Sequence, residues 1–215
     1  MKNKEAPLEP ATVAALLRNN VFNLKAEDIG LTPPKCPQVW GVMMELGYPE
    51  VTVSLVVLAD GSCSVYLSDG NGAVGCGLYS EVRQFVANML NISQRMIPKC
   101  AATTAFPLPA DAQVRFYLLT GQNILTAVAS RQEMDDGASE LAELYYAGHG
   151  VIGMIELLDA GIDIVDEMRL AQGDITNPVT DTIASGTYTL PISRSRGRTC
   201  RILPSVGSAA RRWHN

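Results

Sequence analysis

The chain has 215 residues, of which 47% are hydrophobic and 18% charged, a composition typical of globular proteins. Its longest apolar stretches are interrupted before they reach the eighteen or so positions that a bilayer span needs, so we expect no integral membrane protein. The first ten residues carry two lysines without an apolar region after them, which predicts no secretory signal and a cytoplasmic location.

The formal charge of −5 conceals an acidic body and a basic tail. Residues 1–192 contain 11 basic and 22 acidic side chains, a charge of −11, whereas the residues after them contain no acidic side chain. Such asymmetry is informative about partners rather than about fold. The arginines of the tail, which we take as candidate interaction residues, are Arg194, Arg196, Arg198, Arg201, Arg211 and Arg212.

The cysteines and histidines do not form a recognisable ligand set. The five cysteines include no CxxC pair, and no cysteine lies within ten positions of either histidine. We therefore expect no disulfide framework, no metal site and no cofactor. Cys63 and Cys76 lie in apolar or glycine-rich stretches, which favours small buried hydrophobic side chains.

The first elements in chain order are a helix, a loop and a second apolar segment. Residues 10–18 begin with a proline and continue with apolar residues at helical spacing, which predicts a helix. Residues 31–37 are a proline-rich loop. Residues 39–46 are compatible with a helix or a strand, and we predict a helix.

The pattern from residue 50 to residue 90 predicts a hairpin followed by a helix. Residues 50–59 and 62–68 alternate as strands, and Asp60 with Gly61 between them predicts a type I′ turn. A glycine-rich turn at 69–77 leads to Ser80, a good N-cap. The helix after it has apolar residues at helical spacing, namely Val82, Phe85, Val86, Met89 and Leu90.

The same arrangement follows about sixty residues later. Residues 113–120 and 124–130 predict a second hairpin, turning at Gly121-Gln122-Asn123. Gly137 and Ser139 then introduce a long helix whose apolar stripe runs from Leu141 to Leu158. Two hairpins, each followed by an amphipathic helix, predict an α+β fold in which helices pack on one antiparallel sheet.

The composition predicts three parts of the chain. Residues 1–38 would hold the first helix and the proline-rich loop, and residues 39–170 a single α+β domain. Residues 171–215 are rich in Ser, Thr, Gly, Pro and Arg with few hydrophobic residues, which is typical of an extended or disordered tail.

Two motifs are candidates for ligand binding or catalysis. Gly70, Gly72 and Gly75 match the G-x-G-x-x-G dinucleotide fingerprint, but Gly77, Leu78 and Tyr79 intervene before Ser80 and no acidic residue follows about twenty positions on. We therefore favour a glycine-rich turn with a bulge. His149 is the only histidine inside the predicted domain and hence a candidate general acid or base, although a packed or surface histidine is the favoured interpretation.

Residues 132–168 carry ten acidic side chains and no basic one. If the last helix continues, Asp159, Asp163 and Glu167 share one face, where a solvated surface is favoured over a cation site. The same face is a candidate receptor for the arginine tail, from its own chain or from another subunit. The tail alone is also a candidate for nucleic-acid or acidic-lipid binding.

The strings GYPEVTVSLVVLADGSCSVYLSDGNGAVGCG and PLPADAQVRFYLLTGQNILTAVAS also resemble bacterial proteins of unknown function, and the order of elements resembles the roadblock and longin-type group of small profilin-like domains. The resemblance covers about residues 40–160. It implies an antiparallel sheet flanked by helices and a non-enzymatic homodimer that scaffolds or regulates a small GTPase or a motor. The long last helix and the arginine tail depart from that group.

Three functions remain open. The first hypothesis is a cytoplasmic interaction or regulatory module that forms a homodimer with a protein partner and has no catalytic residues or cofactor. The second is a small enzyme or nucleotide binder that uses the DGNGAVGCG turn together with His149. The third is nucleic-acid binding through the arginine tail.

Overall fold

The computed structural model describes residues 9–33, 36–159 and 201–203. The helices are α1 (Pro10–Asn23), α2 (Ser80–Met96), α3 (Arg131–Asp135) and α4 (Ala142–Asp159). The strands are β1 (Val39–Gly47), β2 (Thr52–Leu58), β3 (Cys63–Leu67), β4 (Gly72–Val74), β5 (Ala101–Thr103), β6 (Gln113–Thr120), β7 (Ile124–Ser130) and β8 (Arg201–Leu203). Short 3-10 turns lie at Ala26–Ile29, Cys76–Leu78 and Ile97–Lys99.

The eight strands form one antiparallel sheet in the order β5-β7-β6-β1-β2-β3-β4-β8. The predicted α+β class is therefore confirmed. Strands β2 and β3 pair with each other, as do β6 and β7, and β1 lies between these two pairs. The four predicted strands are present, as are the helices predicted at residues 10–18, after Ser80 and after Ser139.

The prediction of a helix at residues 39–46 is wrong, because this segment is the central strand β1. Every residue of β1 is buried, so both faces of the strand are apolar and the alternation that identifies a half-exposed strand is missing. Glu45 is the one charged residue in the strand. A strand buried on both faces and a buried helix have the same kind of apolar run, and pairing with β2 and β6 decides between them.

The predicted type I′ turn at Asp60 is also corrected. Gly61 has a φ of +89°, but Asp60 does not have a positive φ. The amide of Gly61 donates to the Leu58 carbonyl, and the amide of Ser62 donates to Oδ1 of Asp60 at 2.8 Å. These bonds define a three-residue loop in which a glycine in the left-handed region follows an ordinary turn.

The turn between β3 and β4 is the same kind of three-residue loop. The Gly70 amide donates to the Leu67 carbonyl, and the Asn71 amide donates to Oδ1 of Asp69 at 2.9 Å. The sequence alone placed a turn here but missed the short strand β4 that follows it. Ser80 is the first residue of α2 rather than its N-cap, which is Tyr79, and the Ser80 hydroxyl donates to Glu81.

Helices cover both faces of the sheet. A Cβ atom at Gly148 of α4 would lie 2.5 Å from Cε of Met44 and 3.2 Å from Cε of Met89, so α4 and α2 pack on the face to which Met44 points. Glu45 points to the opposite face, where it contacts Arg18 of α1. Two helices therefore lie on one side of β1 and the first helix on the other.

Among the residues that the structure describes, no helix combines the length and the apolar character needed to cross a bilayer. Of the predicted tail, only residues 201–203 are described, and they form β8 beside β4. The predicted boundary near residue 170 and the extended or disordered character of the rest of residues 171–215 lie outside the described residues.

Candidate functional site

The three glycines of the apparent dinucleotide fingerprint lie in three different local structures. Gly70 closes the turn between β3 and β4 at a φ of +96°, Gly72 begins β4, and Gly75 precedes the 3-10 turn at a φ of +77°. A Cβ atom at Gly72 would lie 2.2 Å from the carbonyl oxygen of Val65, and one at Gly70 would lie 2.2 Å from Cβ of Pro10. Turn geometry and close packing therefore account for Gly70 and Gly72, and turn geometry for Gly75.

His149 lies on α4 with its ring edge-on to Tyr145, at a centroid distance of 4.4 Å and an interplanar angle of 70°. Burial lowers the pKa of His149, and the positive charge of Arg131 lowers it further, while Asp135 acts in the opposite direction. The imidazole is therefore neutral at pH 7. Its Nε2 atom is buried and has no hydrogen-bond partner among the described residues.

Asp135 of α3 organises the polar groups around His149. Its Oδ1 accepts a hydrogen bond of 2.7 Å from the Tyr145 hydroxyl, and its backbone carbonyl accepts one of 2.8 Å from Tyr146. Burial, followed by the hydrogen bond to Asp135, raises the pKa of Tyr145. Tyr145 is thus fixed as a neutral donor, and the two hydrogen bonds to Asp135 join α3 to α4.

The structure does not bring His149 and the fingerprint glycines into one site. Asp135 is the last residue of α3, and α3 directly follows β7. The glycines lie in β4 and in the turns on either side of it. Five strand spacings separate β7 from β4 in the sheet order, which is about 24 Å. The geometry therefore gives no support to a nucleotide-binding or catalytic site made of both motifs.

An ion pair that was not predicted from the sequence joins Arg18 of α1 to Glu45 of β1. Nε and Nη2 of Arg18 donate to the two carboxylate oxygens of Glu45 at 2.7 and 2.9 Å. The hydroxyl of Ser54 donates to Oε1 of Glu45 at 2.8 Å. Glu45 is 0% exposed, so the carboxylate depends on these donors in place of water.

The loop before β6 surrounds the guanidinium of Arg18. Nη2 of Arg18 also donates to the Phe106 carbonyl at 3.0 Å. The ring of Phe106 stacks on the ring of Phe22, with 4.1 Å between the ring centroids. Burial alone would lower the pKa of Arg18, but the hydrogen bond and charge of Glu45 raise it above its ordinary value. The group is a fully paired structural anchor for α1 and not an open site.

Several large apolar side chains are exposed on α4 and directly before α2. Tyr146 and Leu157 are 51% and 38% exposed and lie on one stripe of α4. Gly153 lies on the same stripe, and a Cβ atom there would meet nothing within 4 Å. Leu78 and Tyr79 are exposed where α2 begins. We call these residues, Leu78, Tyr79, Tyr146, Gly153 and Leu157, the outer helix surface.

The remaining predicted site residues are only partly described. Arg201 lies in β8 opposite Val74, whereas the other five tail arginines lie outside the described residues. Asp159 ends α4, and the positions that would continue its face, Asp163 and Glu167, are also outside. Within the described part of the chain, no group of three or more His, Cys, Asp or Glu residues is arranged to hold a metal ion. Cys63 and Cys76 are buried as expected.

No protein-family model, curated protein or solved structure matches the chain. The geometry of the chain itself is therefore the basis on which a function can be proposed.

Proposed function

We propose that this protein is a non-enzymatic interaction module with a profilin-like layered domain. It forms a homodimer through the outer helix surface, and the dimer scaffolds a protein partner such as a small GTPase. The observation that carries the proposal is the exposure of large apolar side chains on α4 and directly before α2. Apolar side chains grouped on a surface favour a protein contact over hydration.

The stripe on α4 has the shape of a helix-packing surface. Tyr146, Gly150, Gly153 and Leu157 follow one another at intervals of four, three and four residues, so they share one side of the helix. Gly153 leaves open space on this stripe, so a facing helix can approach more closely there, whereas a side chain at Gly150 would meet Phe85 of α2. Tyr146 and Leu157 lie at either end of the stripe.

Leu78 and Tyr79, directly before α2, belong to the same surface. Arg95 of α2 forms an ion pair with Glu143 near the start of α4, and a Cβ atom at Gly150 would lie 3.0 Å from the Phe85 ring. The two helices therefore run antiparallel, which places Leu78 and Tyr79 at the same end as Leu157. Two adjacent helices with exposed apolar residues suit a twofold contact in which each copy presents the same surface.

The layered arrangement supports the module interpretation. Helices α2 and α4 lie on one face of the antiparallel sheet and α1 lies on the other, which is the arrangement that the roadblock and longin-type resemblance implies. The outer helix surface is independent of the sheet edges, so a homodimer through the helices would leave both edge strands accessible to a partner.

Gly153→Glu provides the sharpest test, because a side chain at this position meets open space and glycine is a poor helix former. The variant should fold normally and place a charge in the centre of the contact. We expect wild type to have twice the 23.1 kDa of one chain by light scattering, and G153E to have the mass of one chain.

Leu108→Glu is the matched control, because Leu108 is 50% exposed and lies beside Phe106 and Pro107, on the α1 side of the sheet. It should remain a dimer. A wild-type chain that is monomeric at about 100 µM, a concentration at which even weak specific dimers form, would contradict the proposal. A dimer that G153E leaves intact would place the contact elsewhere.

A further inference from the structure

Strand β4 is paired on both sides, by β3 and by β8, which differ in how they are connected to it along the chain. Its inner neighbour β3 precedes it through a three-residue turn. Its outer neighbour β8 consists of residues 201–203, and 41 residues lie between the end of α4 and the start of β8. An unpaired outer edge of β4 would expose backbone donors and acceptors that bind other extended chains.

The register of β4 identifies the groups that face outward. The Leu67 amide donates to the Asn71 carbonyl, so Asn71 directs its backbone groups toward β3. Because these directions alternate along a strand, Gly72 and Val74 direct theirs outward, opposite Leu203 and Arg201. Two hydrogen-bonded pairs therefore hold β8 in place, and Ile202 between them directs its amide away from β4.

The sequence around β8 indicates what chemistry this edge accepts. The strand Arg-Ile-Leu is followed directly by Pro204, which lacks an amide donor and cannot extend the ladder. It lies in a region with six arginines and no acidic residue, while the residues before 193 have a net charge of −11. A basic extended segment is attracted to an acidic body, wherever that segment originates.

We propose that the outer edge of β4 is a docking site for an extended, arginine-bearing peptide segment of a partner protein. The segment adds to the sheet as an antiparallel strand, and the chain's own residues 201–203 are the internal competitor that occupies the edge until the partner arrives. This inference rests on the proposed function as an interaction module, for which it names the kind of partner and a means of regulation.

The short pairing of β8 with β4 makes it possible for a partner strand to replace β8. Three paired residues make few contacts, and a tethered segment has an effective concentration on the order of a millimolar. If the untethered β8 segment has a dissociation constant of about 0.1 mM, the tethered segment occupies the edge in a ratio of about ten to one, and any partner strand binds the unoccupied edge about tenfold more tightly than the occupied one. A longer or better matched strand would displace β8 completely.

The test uses full-length protein and a fluorescein-labelled peptide of residues 197–207 with serine at position 200, a probe of the expected chemistry. Leu203→Pro removes an amide that faces β4 and should release the edge. Ile202→Pro is the matched control, because its amide faces away. We expect L203P to bind the peptide about tenfold more tightly than wild type or I202P by fluorescence anisotropy.

Hydrogen exchange supplies a second measurement, which is made on the amides of β4 and not on the peptide. The amides of Gly72 and Val74 should exchange faster in L203P than in wild type, and the peptide should restore their protection. Equal peptide affinity in all three proteins, no binding to L203P, or unchanged exchange at these two amides would overturn the inference. Peptide binding is read on single chains, so its failure is distinguishable from failure to form the dimer.

Discussion

The guanidinium of Arg18 and the carboxylate of Glu45 share two hydrogen bonds, of 2.7 and 2.9 Å, although the residues are 27 positions apart in the chain. Arg18 lies on the first helix and Glu45 on the central strand, so the pair joins a peripheral element to the middle of the sheet. Glu45 is completely buried, and Arg18 and Ser54 are the side-chain donors that it has. The ion pair therefore fixes α1 to the central strand, in addition to the apolar contacts that α1 makes through Ala14, Val21 and Phe22.

Removing one member of this pair should destabilise the fold more than an ordinary polar substitution does. Glu45→Met leaves the charge of Arg18 without its partner, and Arg18→Met leaves a buried carboxylate with a single hydroxyl donor. We expect each variant to lower the free energy of unfolding by about 3 kcal/mol. Urea denaturation followed by circular dichroism measures this change.

The double variant R18M/E45M tests whether the losses in the single variants come from an unpaired buried charge. With both charges replaced by apolar side chains of similar size, no buried charge remains unpaired, and the loss should be well below the sum of the two single losses. Additive losses in the two single variants and the double variant would show that Arg18 and Glu45 stabilise the fold independently of each other.

The lowered pKa of His149 should make stability depend on pH in one direction. The unfolded chain binds a proton at the ordinary histidine pKa of about 6.5, whereas the folded chain binds it only at a lower pH. Stability therefore rises with pH between the lowered folded pKa and about 6.5, and the full contribution is present above that window. We expect His149→Gln to remove this part of the dependence.

Proton NMR titration of the imidazole measures the pKa of His149 directly. The chain has two histidines, and the signal missing from H149Q identifies the right one. Asp135→Asn removes the negative charge that opposes the shift, so it should lower the pKa of His149 further. A pKa of 6.5 or above in the wild-type protein would show that the ring is hydrated and not buried against Tyr145.

Some of the elements that the sequence predicted correctly expose one side, whereas β2 is fully buried and was recognised by its β-branched residues and the turn after it. Helix α2 alternates buried and exposed positions at helical spacing, and β6 begins with half-exposed residues that alternate with buried ones. Strand β1 was mistaken for a helix because all of its residues are buried. Strands β4, β5 and β8 have three residues each, too few for any periodicity, and only pairing with a neighbour defines them.

The candidate site was predictable only where it is local in sequence. His149 stood out because it is the one histidine in the predicted domain, but its electrostatic interaction with Asp135 requires α3, which was not predicted from the sequence. The ion pair of Arg18 and Glu45 required knowing that α1 crosses β1. Its available signal was a lone glutamate in an apolar segment, since a buried carboxylate must find a positive partner.

Two glycine substitutions should have opposite effects on stability. A Cβ atom at Gly77 would lie 1.8 Å from the carbonyl oxygen of Gly61, so Gly77→Ala must displace the turn between β2 and β3. We expect Gly77→Ala to lower the free energy of unfolding by about 2 kcal/mol.

Gly153→Ala places its methyl group in open space on α4 and should raise the free energy of unfolding by about 0.5–1 kcal/mol. Thermal unfolding of both variants beside wild type gives the sign of each effect, and the same sign in both would contradict the packing described here.

Cys100 should be unreactive in the folded protein because its thiol stays protonated. Burial raises the pKa of Cys100 to about 11, so only about 0.1% is thiolate at pH 8. The rate of alkylation by iodoacetamide, followed by peptide mass spectrometry, should rise about tenfold for each pH unit up to about pH 10. In concentrated urea the thiol regains its ordinary pKa of 9.0, and alkylation at pH 8 should be about a hundredfold faster. A native rate within about threefold of the unfolded rate would mean that water reaches Cys100, and that the 3-10 turn and the edge strand β5 do not cover it as the structure describes.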